Sequence, residues 1–532
     1  MNINNTVIHH FIIVPRFTRK KMRYTIVALI LFLFANSLLC QNNLNIDTEL
    51  LPHLNKSLAP FYHGVASGDP TQNSVVIWTK LTLDKNIKEA VLSWEIATDT
   101  TFKQSRQTGI VTTKDESNFS TKINVTKLKP YTVYYYRFSY NNSSSVVGQT
   151  KTLSDNLNTS TIAFASCSNY EWGYFNNYRF MAEDKAIDVV VHLGDYIYEY
   201  AVGKYGDTAI GRINVPNKEI ISLNDYRTRY SLYRLDKDLM KLHQLKPFMT
   251  TWDDHEIANN AYIDGAQNHQ KNEGDWYNRK AAATKAYYEW LPVNKKPESH
   301  LYRSFAIGKL INLLLLDTRI EGRTLQVDSM SAPNYFDTTR SILGREQYNW
   351  LTHSLDKSYC WNIMGNQVPF GPMFQPDKIK GALYMDGWDG YPYEREKFVN
   401  YLKKRQLKNL VIVTGDYHCS FAMETNLQGT KDTSDNVAIE FVVTSITSAN
   451  DDEYVTDKEV AEAKELYLKN NPHMKYCNNK DHGYLVLKVS KDELIAEFNY
   501  ASTVKKPEAI KITEKVYHIK SGSAVIVEGT KK

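Results

Sequence analysis

Asp188-Val-Val-Val-His-Leu-Gly-Asp195-Tyr-Ile-Tyr198 and Leu410-Val-Ile-Val-Thr-Gly-Asp416-Tyr-His418 each carry an apolar run into a Gly-Asp pair followed by further polar groups. An unbroken run of aliphatic residues suits a strand buried on both faces. A carboxylate at the C-terminal edge of such a strand stands where open α/β sheets bind metals and phosphates. One Gly-Asp after a strand is commonly only a turn. Two in one chain, one with a His two residues further on, point to a site.

The pattern recurs through the middle of the chain. Residues 161–166 end at Cys167, and 247–252 run into Asp253-Asp254-His255-Glu256. Residues 310–316 end at Asp317-Thr-Arg319, and 361–364 at Gly365-Asn-Gln367. Helix-patterned stretches, 279–290, 345–355 and 394–405, lie between several of these runs. Strands alternating with helices predict an α/β fold, a layered β-sheet core flanked by helices, with a site along one sheet edge. Three more strands, 436–444, 483–489 and 494–500, complete the sheet system. Ahead of this core, 74–78, 90–96 and 131–138 read as short strands separated by turn residues, which predicts a small N-terminal β-sandwich. The expected organisation is a signal peptide over 1–40, a linker over 41–60, the β-sandwich over 61–153, the catalytic domain over 160–505 and a C-terminal tail over 506–532.

Composition limits the function classes. At 532 residues, two domains are the natural expectation. A net charge of +5, from 64 basic and 59 acidic residues intermixed, leaves no footprint for nucleic acid. The 36 tyrosines, many in strand-like runs, read as β-rich packing. Arg16, Arg19, Lys20, Lys21 and Arg23 precede the apolar stretch 26–35, and Ala35-Asn-Ser37 suits signal cleavage. That stretch is short for a membrane span, and no later one qualifies. Export by a Sec-type signal is expected, to the periplasm, cell surface or medium. Met22 is an alternative start. Cys40 is a candidate lipid anchor, although Leu39 before it fits that signal poorly. No adjacent Arg pair supports a twin-arginine signal. Cys167, Cys360, Cys419 and Cys477 are too few for a disulfide scaffold. Cys360 and Cys477 are candidates to pair in an oxidising compartment; a buried free thiol is the alternative for each, and the reading adopted for Cys419.

The polar strand ends supply the chemistry. Gly194 lets the backbone turn closely before Asp195. Tyr198 offers a phenolate, Cys167 a thiolate, His418 an imidazole and Asp416 a carboxylate. Sulfur, oxygen and nitrogen donors together favour a transition metal over magnesium or calcium alone. Asp254 could hold a second ion with Asp195 bridging, an arrangement that clamps a phosphate and activates water. His255, beside Asp254, is the catalytic candidate, touching phosphate or protonating the leaving oxygen. Each has a plainer alternative: Tyr198 as a packing aromatic, Cys167 as an inert thiol, His192 as a satisfied core histidine, and Asp253, Glu256 and Glu199 as solvated or capping carboxylates. Tyr170, Trp172 and Tyr174 either shape a pocket mouth or simply pack.

Phe164-Ala-Ser-Cys167, His192-Leu-Gly-Asp-Tyr-Ile-Tyr-Glu199, Thr251-Trp-Asp-Asp-His-Glu256 and Thr414-Gly-Asp-Tyr-His418, with His63–Pro70 ahead of them, resemble the signature blocks of the PhoD-type alkaline phosphatases, a branch of the calcineurin-like metallophosphoesterases. The resemblance spans about residues 61–500. It implies a metallophosphoesterase-type fold, iron (Fe3+) and calcium (Ca2+) as cofactors, and hydrolysis of phosphomonoesters and phosphodiesters at alkaline pH. By position, Cys167, Asp195, Tyr198 and His418 would hold iron, and Asp195, Asp254 and Asp416 would face calcium. Asn259 and Asn366 are candidates for support or for the calcium side. Family members often leave the cell folded by the twin-arginine route; the signal here is of the general secretory kind, which implies metal uptake after export. The leading expectation is a secreted phosphoesterase acting on a small-molecule or polymer phosphoester. The alternatives are a phosphodiesterase for a polymer or lipid headgroup and an inactive surface-binding relative. A sulfatase would need a Cys-x-Pro-x-Arg motif, which the chain lacks.

Overall fold

A computed structural model describes residues 43–156, 158–294, 299–376 and 382–530. The expected signal peptide, the Met22 start and the Cys40 anchor lie outside the described residues. Among the described residues, no helix is long and apolar enough to cross a membrane.

All six apolar runs are strands, divided between two sheets. Thr159–Ala165, Val189–His192 and Pro247–Thr250 run parallel in the first. Ile311–Leu315, Trp361–Asn366, Leu410–Thr414 and Ala438–Val442 run parallel in the second. The two-residue period of a strand shows why these runs are continuously apolar. Val189, Val191, Phe164 and Met249 share one core with Leu313, Leu315, Ile363 and Val411, so the sheets pack face to face. The alternate residues Ala163, Val190 and Phe248 face a helix layer built from Leu223–Arg234, Lys237–Leu245 and Trp276–Trp290. On the far side Leu314, Met364 and Ile412 pack with side chains of helices Gly344–Ser354 and Pro392–Arg405. The result is helix, sheet, sheet, helix. In the first helix layer Tyr178, Tyr196, Tyr226, Tyr230, Tyr233 and Tyr287 are buried together, so part of the tyrosine content serves helix packing.

The expected N-terminal β domain has two packed layers, one of which continues into the catalytic sheet. Its outer layer is a separate sheet containing Glu89–Ala97, Gln107–Lys114 and Val133–Tyr140. Its inner layer, Val65–Gly68, Val75–Lys80 and Ser120–Val125, extends the first catalytic sheet, with Val65–Gly68 parallel to Pro247–Thr250. The linker is not wholly free, because Leu50 is buried in the first helix-layer core. Within the expected tail, Lys511–Lys520 is a strand that pairs antiparallel with Glu493–Ala501, burying Tyr517 and Ile519. Cys360 and Cys477 are both free thiols. Cys360 adjoins strand Trp361–Asn366 and Cys477 lies on Met474–Asn478, with three strands between them. At about 4.8 Å per strand that is far beyond the reach of a disulfide. Cys419 is buried and free.

A structured C-terminus has a measurable consequence. Ile519→Ala should lower unfolding stability by about 2–5 kcal/mol, the usual cost of truncating a buried aliphatic side chain. Urea denaturation measures this, and a loss near zero would restore the free-tail reading.

Candidate metal centre

Parallel strands bring their C-terminal ends to one edge, and face-to-face packing puts the two edges together. The junction is bonded directly: Thr251 Oγ1 donates to Leu316 O at 2.8 Å, and Gln367 Nε2 to Thr251 Oγ1 at 3.1 Å. Beyond these ends the chain turns sharply. Cys167, Asp195, Asp416 and His418 have φ of 58°, 54°, 63° and 63°. Left-handed backbone is uncommon for residues other than glycine and concentrates at functional sites. Gly194, at φ 117°, is required by space as well as by φ, because a Cβ there would stand 2.3 Å from the Asp253 amide nitrogen.

Donor atoms of Cys167, Asp195 and His418 lie within 4.8 Å of one another, as do those of Asp195, Asp254 and His255, and those of Asp253, Asp254 and Asp416. Asp195 belongs to two of these groups and Asp254 to two. Cys167 Sγ is 3.4 Å and Tyr198 OH 3.1 Å from Asp195 Oδ2, and Tyr198 OH is 3.3 Å from His418 Nε2. Four expected ligands thus meet around one point. His418 Nδ1 is 2.9 Å from Ala449 O, a backbone partner that fixes the ring and leaves Nε2 to the cluster. Cys167 and Asp195 are buried, while Asp416 and His418 are partly exposed, so the centre opens on their side.

Burial pushes the Asp195 carboxyl well above its ordinary pKa; His255 opposes this, and Asp253 and Asp254 add to it. Burial also raises Asp416 to about 6, Cys167 well above the usual thiol range and Tyr198 above the usual phenol range. Charged donors crowded away from water in this way await a cation. Asp253 Oδ2 and Asp254 Oδ1 are buried and accept no hydrogen bond. The donor set therefore fits bound metal.

Of the two readings for Glu256, Glu199 and Asp253, solvated or capping, burial excludes the first. Glu256 accepts from the backbone N–H of Asp195 at 3.0 Å, Tyr196 at 2.6 Å and Asp253 at 2.8 Å, capping both turns from inside. Glu199 Oε2 is 2.7 Å from His255 Nδ1. Burial alone would lower the His255 pKa, but Asp254, Glu199 and Asp195 outweigh it and hold it well above the ordinary value. Asp253 pairs with Arg319, whose fully buried guanidinium also meets Asp386 Oδ2 and Asp416 Oδ1, each at 2.7 Å, and approaches Asp254 Oδ1 at 3.6 Å. Arg319 was visible as a strand end, but nothing in the sequence linked it to four carboxylates. Asp386 and Tyr384, which donates to Asp416 Oδ2 at 2.7 Å, carried no sequence signal.

The remaining candidates separate. Asn366 is buried and engaged by Val368 O and Thr414 Oγ1, so it braces the strand end. Asn259 donates its side-chain amide to Gln267 Oε1 and its backbone N–H to Glu199 Oε1, each at 2.8 Å. His192 is a satisfied core histidine, 2.8 Å from Tyr178 OH. Tyr170 packs in the helix-layer core. Trp172 stacks edge-on with Tyr205, whose hydroxyl lies 3.4 Å from His418 Nδ1, so it stands beside the opening.

The family description "PhoD-like phosphatase" matches residues 162–498, and its N-terminal domain matches 48–154. The chain belongs to the PhoD-like phosphatase family. It is 37% identical over 479 residues to alkaline phosphatase D of Bacillus subtilis (strain 168), covering 86% of this chain and 80% of that protein. A solved structure of PhoD superposes with a TM-score of 0.80 at 34% identity, covering 90% of this chain and 94% of that one. The layered α/β architecture with its N-terminal domain is thus the family fold.

Arg319 gives the centre a stability signature. Arg319→Met leaves Asp253, Asp254, Asp386 and Asp416 without their shared counter-charge. In chelator it should cost about 3–5 kcal/mol, as breaking a buried pair does. Added divalent cation should recover part of that loss in a thermal melt. A melt unchanged from wild type would show that Arg319 does not hold the carboxylates together.

Proposed function

We propose that this protein is an exported, metal-dependent phosphoesterase that hydrolyses phosphomonoesters or phosphodiesters by attack of water. The observation that carries the reading is the convergence of Cys167, Asp195, Tyr198 and His418 with Asp254 and Asp416 where the edges of the two sheets meet. Family membership supports the phosphoesterase class. The basic, apolar N-terminal sequence supports export.

Cys167, Asp195, Tyr198 and His418 form the iron subsite. A phenolate suits a hard trivalent iron, and a soft thiolate beside it favours a transition metal over calcium. Asp254 and Asp416, with Asp195 between the two groups, form the oxygen-only subsite suited to calcium. When bound, the metals neutralise phosphoryl charge and lower the pKa of water. The chain's own residues do the rest. Arg319 keeps the Asp254 and Asp416 carboxylates apart and aimed. Glu256 fixes the turns that present Asp195 and Asp254. Glu199 holds His255 Nδ1 and favours the imidazolium, leaving Nε2 to donate a proton to the leaving oxygen. Tyr198 packs against the His255 ring, centroids 4.3 Å apart and planes tilted by 32°, and limits its rotation.

Prolonged chelation should abolish hydrolysis of a phosphate ester, and iron with calcium should restore it better than zinc. Full activity in a metal-free preparation would exclude the reading. If Tyr198 and Cys167 bind ferric iron, concentrated protein should be coloured and Tyr198→Phe should change the band. A colourless protein with stoichiometric iron would remove these two residues from the iron subsite.

His255→Ala should slow alkyl phosphates by about 10²–10⁴-fold, the usual worth of general-acid help, and nitrophenyl phosphate far less, with metal content unchanged. Glu199→Gln should give a milder version of the same pattern. Equal losses on both substrates would assign His255 to phosphate contact, and loss of metal would make it a ligand.

A further inference from the structure

A cavity of about 230 Å³ lies between the segment around Asp47 and helix Leu223–Arg234. It is remote from the metal centre. Val65–Gly68 runs parallel to Pro247–Thr250, whose C-terminal end leads to the centre. Lys80 ends the antiparallel neighbour Val75–Lys80 beyond the Val65–Thr79 pair, at the opposite end of these strands. The cavity has room for several waters or one small ion.

Its lining is cationic. Lys80 is only 2% exposed, and among the described residues its ammonium makes one hydrogen bond, to Leu81 O at 3.2 Å. It forms no ion pair with a carboxylate there, and rests 5.5 Å from the Trp290 ring centroid. Two of its three donors are thus unused. Lys85, exposed, stands at the rim with Asn118. Arg227 also lines the cavity, but Glu289 holds it at 2.6 and 2.7 Å and cancels its charge. Asp47 is the acidic group of the lining, and its carboxylate accepts from Glu49 N at 3.0 Å. Nearby, the fully buried Arg234 lies over Trp78 at 4.4 Å and also pairs with no carboxylate among the described residues. Burial first, then Lys80 and Arg234, hold His63 well below its usual pKa, so it adds no further positive charge. Burial first, then Arg227, push the Lys80 pKa down to about 7, with the Glu289 carboxylate opposing, so an anion bound beside it would stabilise the ammonium form.

We propose that this cavity binds a small free oxyanion of phosphate size, held by Lys80 Nζ at the floor and drawn in by Lys85 at the rim. The ligand supplies the counter-charge that the described residues leave out. The reading is independent of the chemistry at the metal centre.

Inorganic phosphate titrated calorimetrically into metal-loaded full-length protein tests it. The wild-type isotherm should contain a component that Lys80→Met removes. Lys85→Glu, an exposed substitution, should weaken that component by about tenfold or more, the scale of one lost charge-assisted contact. Hydrolysis of nitrophenyl phosphate and metal content should stay at wild-type values in both variants, which separates this component from phosphate at the metal centre. Identical isotherms in wild type and Lys85→Glu would overturn the proposal even if Lys80→Met failed to fold. So would a wild-type isotherm explained by the metal centre alone.

Discussion

Carboxylates taken out of water need a counter-charge, and this requirement governs the catalytic half of the molecule. Asp195, Asp253, Asp254 and Glu256 are all buried where the two sheets meet, with Glu199 alongside and Asp416 at the opening. Repulsion and desolvation together would protonate or expel them. The protein answers in three ways. Arg319 and His255 supply fixed positive charge. Backbone N–H groups satisfy Glu256 completely enough for it to act as an internal cap. The charge left around Asp195, Asp254 and Asp416 suits a bound metal, which is the proposed third answer. Removing any one answer shifts the burden to the others, so stability, metal content and activity are linked here.

The layered fold makes this crowding possible. Two parallel sheets packed face to face bring two sets of strand ends to one place, and each end needs only one tight turn to add a donor. The cost is local: four of the donor residues sit in left-handed backbone, and Gly194 must pass within van der Waals distance of the Asp253 backbone. Such strain persists only where the surrounding structure determines it fully. The bond from Thr251 to Leu316, braced by Gln367, and the caps from Glu256 provide that determination.

The sequence made the core strands legible because both faces of each are buried, which leaves no polar alternation to confuse the reading. It made the donors legible because they follow those strands directly. It hid elements whose meaning comes from distant partners. Val65–Gly68 is four small residues long and becomes a sheet strand only through Pro247–Thr250. Lys511–Lys520 carries several charges because it is near the sheet's edge, and so resembled a tail. Glu199, Glu256 and Asp253 read equally as solvated or capping carboxylates because nothing local marks a residue whose partners lie across the fold. Arg319 reaches Asp386 and Asp416 across 67 and 97 residues. No pattern within a window of sequence contains such a contact.

The central claim is that Asp195 serves both halves of one metal centre. Metal analysis of purified Asp195→Asn beside wild type tests it most directly, with circular dichroism verifying the fold. The account predicts that the variant, still folded, loses metal from both the Cys167–His418 group and the Asp254–Asp416 group, because the shared carboxylate is gone. A folded Asp195→Asn protein that keeps the full wild-type metal complement would contradict it.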